Sequence, residues 1–101
     1  MQFAHEMAHD GVVAALQGAF TFKDHHSFRV LLDLLKSSTG RRHVLDLSQL
    51  EFLDSAALGM LLIAEGEARS SGSALILRKP SGQIARLLEL VAMDEMFTIE
   101  R

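Results

Sequence analysis

The chain has 101 residues, 49% of them apolar and 23% charged, which suits one domain with its own core and argues against a disordered tail. Its net charge is −3 and its ten basic residues are scattered, with only Arg41-Arg42-His43 clustered, so the electrostatic footprint of a nucleic-acid binder is missing. Without cysteine there are no disulfides, thiolate metal sites or Cys nucleophiles. The longest apolar stretch, Ala56 to Ala64, is far below the roughly 20 residues that cross a bilayer, and the N-terminus does not read as a signal peptide. A cytoplasmic protein that does not engage membranes is the expectation.

Residues 2–8 and 11–20 carry short apolar alternations on either side of His9-Asp10-Gly11, an Asp-Gly turn signal, and predict a β-hairpin whose second strand is broken by Gly18. Asp24 is a candidate N-cap for an amphipathic helix bearing Phe28, Leu31, Leu32 and Leu35 on one face, ending near Ser38 with Gly40 as its stop. Val44, Leu45 and Leu47 predict a short strand buried in a sheet, followed by a turn at Ser48 and a loop carrying Phe52. A second helix is expected over roughly 56–70, stopping at Ser71-Gly72. "SALILRK" reads as another buried strand. Pro80-Ser81-Gly82 opens a third helix with Ile84, Leu87, Leu88 and Val91 on one face, and "MFTIE" closes as a short strand. The order β-β-α-β-α-β-α-β predicts a single α/β domain over residues 1–101. Its central sheet of about five strands is mixed and largely parallel, with helices packed against it through right-handed crossovers.

The informative junction is Asp54-Ser55, between the buried strand and the second helix. The carboxyl ends of strands in open α/β sheets are where function tends to sit. An oxygen here also caps a helix, worth about 1 kcal/mol, so a purely structural role for Asp54 or Ser55 stands beside a functional one. Either residue alone would suffice as a cap, yet both occur. The helix that follows is apolar nearly all round for its first turns. If Leu58, Leu61 and Leu62 face the sheet, Ala56, Met60 and Ile63 point outward beside Ser55, as an apolar patch suited to a protein partner. A helix buried by its neighbours is the alternative.

Ser55 has no nucleophile elbow around it, since the sequence reads Leu53-Asp54-Ser55-Ala56-Ala57. The five histidines, His5, His9, His25, His26 and His43, form no nucleophile–base pattern and no helical metal pair, and packing or surface roles are expected for them. No phosphate-binding glycine motif occurs. Neither an enzyme nor a cofactor or metal site is expected.

"HVLDLSQLEFLDSAALGMLL" resembles the central motif of the STAS domain (sulfate transporter and anti-sigma factor antagonist), with its strand ending Asp-Leu-Ser and its apolar-x-Phe-apolar-Asp-Ser lead into a helix. "GVVAALQGAFTF" resembles the family's second strand, and "SGSALILRKPSGQIARLLELVAMDEMFTIE" its last strand, helix and strand, so the resemblance covers nearly the whole chain. It implies a protein-binding switch without catalytic activity. In single-domain bacterial members the Ser of the Asp-Ser pair is phosphorylated by a partner kinase that is also an anti-sigma factor or related regulator. A PP2C-type phosphatase reverses this, and only the unphosphorylated form captures the partner. Carried onto this chain, Ser55 is the phosphoacceptor and Asp54 its neighbour in the motif; with the outward Ala56, Met60 and Ile63 read from the helix face, these two make up the expected partner-binding surface. Where many members have Ser/Thr then Gly after the acceptor, this chain has Ala56-Ala57, a departure that bears on kinase fit and partner choice. The competing reading is a constitutive structural subunit of a larger signalling or transport assembly, with Ser55 only a helix cap. Oligomeric state, and modification of Ser37, Ser38, Thr39 or Ser48, are left open by the sequence.

Overall fold

Asp10-Gly11 turns the chain as expected: β1 (Gln2–Ala8) and β2 (Gly11–Phe20) pair antiparallel from Ala8↔Gly11 to Gln2↔Gln17. The computed structural model describes residues 1–38, 40–91 and 95–101. After β2 come a single 3₁₀ turn (Phe22–Asp24), α1 (His25–Ser37), β3 (Arg42–Leu53), α2 (Ser55–Ser70), β4 (Ala74–Arg78), α3 (Gly82–Leu90) and β5 (Thr98–Glu100). The five strands lie in the sheet in chain order, β2 to β5 all parallel, which makes the mixed, largely parallel sheet that the alternation predicts. All three parallel crossovers step in the same direction, and right-handed connections then put all three helices on one face. Their apolar stripes close one core with the facing strand residues: Phe28 and Leu31 from α1, Leu61 from α2, and Ile84 and Leu88 from α3 meet Leu16, Leu45 and Leu77.

Three local expectations are corrected, and a fourth, the Asp24 cap, is met in position but not in bonding. The central strand is far longer than residues 44–47: β3 runs to Leu53, so Ser48 is not in a turn and Phe52 is not in a loop. Pairing with β2 gains one extra residue between Asp46 and Gln49 and another between Leu50 and Phe52. These bulges set the buried side chains Leu47, Leu50 and Leu53 three apart, which hides the two-residue period of a strand. Gly18 does not break β2 but lies within it, at φ +80° beside one of these register shifts.

At α1, Asp24 occupies the N-cap position without a side-chain capping bond. Its carboxylate instead accepts from Thr21 N–H at 2.8 Å and from the Met1 ammonium at 2.7 Å, closing the 3₁₀ turn. Gly40 is no left-handed stop for α1, which ends at Ser37. A Cβ there would collide with the backbone of Asp10 and Gly11, so glycine serves close chain approach. Thr39 and the segment 92–94 lie outside the described residues. Among the described residues, no helix is long and apolar enough to cross a membrane.

Candidate functional site

The carboxyl ends of β2 and β3 converge on Asp54. Asp54 N–H donates to Phe20 C=O at 3.2 Å, docking the start of α2 on the end of β2. Its side chain divides its oxygens between two elements. Oδ1 accepts from Ala57 N–H at 2.8 Å, capping α2, while Oδ2 accepts from Phe22 N–H at 3.1 Å and anchors the 3₁₀ turn. Asp54 is therefore the cap and the clamp, with extended backbone (φ −96°, ψ 176°) as an N-cap requires.

Ser55 is the first residue of α2 and is exposed. Among the described residues, the side-chain bonds at this junction come from Asp54 and none uses the Ser55 hydroxyl. Of the two candidate caps Asp54 is the one used, and the competing reading of Ser55 as the cap is corrected here: an N-cap residue stands outside the helix, and Ser55 stands one residue inside it. The hydroxyl is left without a structural duty, next to the unpaired N–H groups of the first helical turn.

Of the expected patch, Ala56 and Ile63 are exposed, with Ile63 at 58% of its full area. Met60 turns partly inward and packs against the core. The sheet-facing stripe of α2 is Ala57, Leu61 and Ala64, whereas Leu58 and Leu62 sit at its margins rather than facing the sheet squarely. The helix is apolar nearly all round because it has two duties: one side seals the core, and another walls a groove against α1. That groove, about 270 Å³, lies between His25, His26 and Arg29 on α1 and Met60 and Ile63 on α2, over Phe28 and Leu32.

Two exposed aromatics flank Ser55 that the sequence reading did not single out. Phe22 (62% exposed) rides on the turn held by Asp54, and Phe52 (50%), next to last in β3, lies beside Leu90 of α3 (76%). Thr21 accepts from Lys23 N–H while Asp24 reaches back to Thr21, so "TFKD" is a capping box, and that Thr-x-x-Asp spacing was the signal that could have placed Phe22. Phe52 could not be placed without the bulges.

Electrostatics at this end are set by the same turn. Asp24 is held below the ordinary carboxylate value, first by its bond to the Met1 ammonium and then by Thr21 N–H. At the opposite end of the sheet, His43 is buried, accepts Val12 N–H on Nδ1 at 3.2 Å, and has its pKa pushed down by burial. It is a packing residue, as expected for it. Among the described residues no cluster of three or more His, Cys, Asp or Glu could hold a metal.

A single small mixed α/β domain, with an exposed hydroxyl at the first helical residue beyond its central strand, is the class that fold and site define. The chain belongs to the STAS domain family: the family described as "Mlab, STAS domain" matches residues 3–99. A STAS-domain containing protein of Pseudomonas aeruginosa is 33% identical over 84 residues, spanning 83% of this chain and 82% of that protein. Among solved structures, a Thermotoga maritima protein assigned provisionally as an anti-sigma factor antagonist superposes with a TM-score of 0.84 at 24% identity, over 98% of this chain and 86% of its own. The anti-sigma factor antagonist SpoIIAA in its unphosphorylated form gives 0.81 at 19% identity, over 99% and 89%. The phosphorylated form of SpoIIAA from Bacillus gives 0.72 at 18%, over 99% and 92%. At these identities the structural likenesses speak for the fold.

Proposed function

We propose that this chain is a phosphorylation-switched protein-binding regulator, an anti-sigma factor antagonist without catalytic activity of its own. It captures its partner when Ser55 is unmodified and releases it when Ser55 is phosphorylated. The observation that carries this reading is the division of labour at the junction: Asp54 supplies the cap and the clamp, and the adjacent Ser55 hydroxyl is exposed and unengaged. The fold shared with SpoIIAA, known in both unphosphorylated and phosphorylated forms, supports it. The partner is a cytoplasmic anti-sigma factor that doubles as a serine kinase, with a PP2C-type phosphatase resetting the switch.

The physics is local. A phosphate adds about −1.5 to −2 charges at pH 7. The start of a 16-residue helix accommodates that charge through its free N–H groups and dipole, so the modified protein stays folded. A partner seated on Ala56, Met60 and Ile63 meets a bulky dianion next to Asp54 and must desolvate it. A penalty of about 3 kcal/mol weakens binding more than a hundredfold with no conformational change.

The test is a pull-down with wild-type, Ser55→Ala and Ser55→Asp baits. The switch predicts a kinase-like or anti-sigma partner retained by wild type and Ser55→Ala and lost from Ser55→Asp. Equal recovery on all three baits rejects it and leaves a constitutive assembly subunit.

A further inference from the structure

We propose that the groove between α1 and α2 docks an acidic, amphipathic helical segment of the protein partner. This rests on the reading that the face beside Ser55 binds protein and goes further by fixing the partner's charge and shape. The groove is one-sided in charge. Arg29 is the one charged residue of its lining, which holds no Asp or Glu, in a chain whose overall charge is −3. The one carboxylate in the stretch 22–29, Asp24, is already taken by the Met1 ammonium and Thr21. Among the described residues Arg29 has no carboxylate within ion-pair distance, as is also so for Arg41 and Arg86, whereas Arg42, Arg69, Arg78 and Arg101 each have one. Farther along the same two helices carboxylates return: exposed Asp33 lies one turn beyond Arg29, and Lys36 meets Glu67. An unspent cation beside a large uncovered apolar side chain, Ile63, is complementary to a helix with apolar residues at i, i+3, i+4 and i+7 and carboxylates along one edge.

The switch itself points the same way. Ser55 precedes Ile63 by eight residues on one helix, roughly 12 Å along its axis. A phosphate dianion there repels an acidic segment. It would attract a basic one, and modification would then tighten binding instead of breaking it.

The chain has no cysteine, so Ile63→Cys and Phe52→Cys each create a unique thiol at an exposed side chain, on the groove and on the opposite flank of Ser55. Both, labelled with a benzophenone maleimide and checked for folding by circular dichroism, are photolysed in lysate of the source organism, and the adducts are sequenced by mass spectrometry. Expected is an adduct at position 63 to a segment with an apolar helical stripe and net negative charge. Its yield should drop about tenfold with Arg29→Glu and recover when a carboxylate of the captured segment is changed to Lys. An adduct to a basic segment, an adduct indifferent to Arg29→Glu, or no adduct at position 63 overturns the proposal. A Ser55→Asp version separates the two readings. If the acidic adduct persists there, the groove assignment stands and the switch falls. If adducts form only at position 52 and vanish with Ser55→Asp, the switch stands and the groove falls.

Discussion

The two ends of the parallel strands are built to opposite specifications. At the amino end of β3 the chain is crowded: Gly40 lies against Asp10 and Gly11, and Gly11 against Arg42 and His43, so closely that neither glycine has room for a Cβ, and His43 is buried against Val12. At the carboxyl end, Asp54 ties β2, the 3₁₀ turn and α2 together, and around it Phe22, Phe52, Ser55 and Ile63 are exposed. One end fixes the fold and the other is left uncovered. The same number of atoms changed at each end should therefore have very different consequences.

The largest effect is expected at the crowded end. Gly40→Ala drives a methyl into the backbone of Asp10 and Gly11, which cannot yield as a side chain would. A loss of about 3 kcal/mol in urea denaturation is expected, with partner affinity unchanged per folded molecule. If Gly40→Ala is as stable as wild type, the contrast between the ends is wrong.

Next comes the clamp. Asp54→Ala removes the α2 cap and the acceptor for Phe22 N–H, and should cost about 1–2 kcal/mol and loosen the 3₁₀ turn, read as faster amide exchange at Phe22. Ser55→Ala, one residue on, should stay within about 0.5 kcal/mol of wild type. Equal losses would mean that Ser55 shares the capping work.

Acid separates the ends by pH window. His43 has a folded pKa below its ordinary 6.5, so the unfolded chain takes up the proton first. The stability gained from keeping it neutral is complete above about 6.5 and is lost as pH falls through the folded value. Asp24, also depressed, loses its contribution only as pH falls below its ordinary 3.8, through its own folded value. A stability–pH curve should fall in two stages, with His43→Gln flattening the first and Asp24→Asn the second. One stage, or a first stage that survives His43→Gln, contradicts the assignment.

The smallest loss that should be measurable concerns the turn's own lock. Thr21→Ala removes an exposed hydroxyl that accepts from Lys23 N–H at 3.3 Å and should cost about 0.5–1 kcal/mol, with its amide-exchange change confined to residues 22–24.

Much of this molecule was legible one-dimensionally. The Asp-Gly turn, the stripe Phe28, Leu31, Leu32, Leu35 and the alternation of strands with helices depend on local propensity and period, which a linear sequence displays. The Asp-Ser pair was legible as a junction for the same reason. Three features were not. The true length of β3 was hidden because its two bulges are set by pairing with β2 and break the strand period. The choice of Asp54 over Ser55 as cap depended on where β2 and the 3₁₀ turn present their N–H and C=O groups, across 32 residues of sequence for Phe22. The basic groove needed α1 and α2 laid side by side, since His25, Arg29, Met60 and Ile63 share no pattern along the chain. By itself, then, the sequence determined which segments are strands and helices, their order, and the hydroxyl at the helix start, because these are properties of neighbours in the chain. Only the tertiary structure decided which of two adjacent oxygens is bound and which is free, and what surface surrounds the free one. Those depend on groups that meet only when the sheet closes.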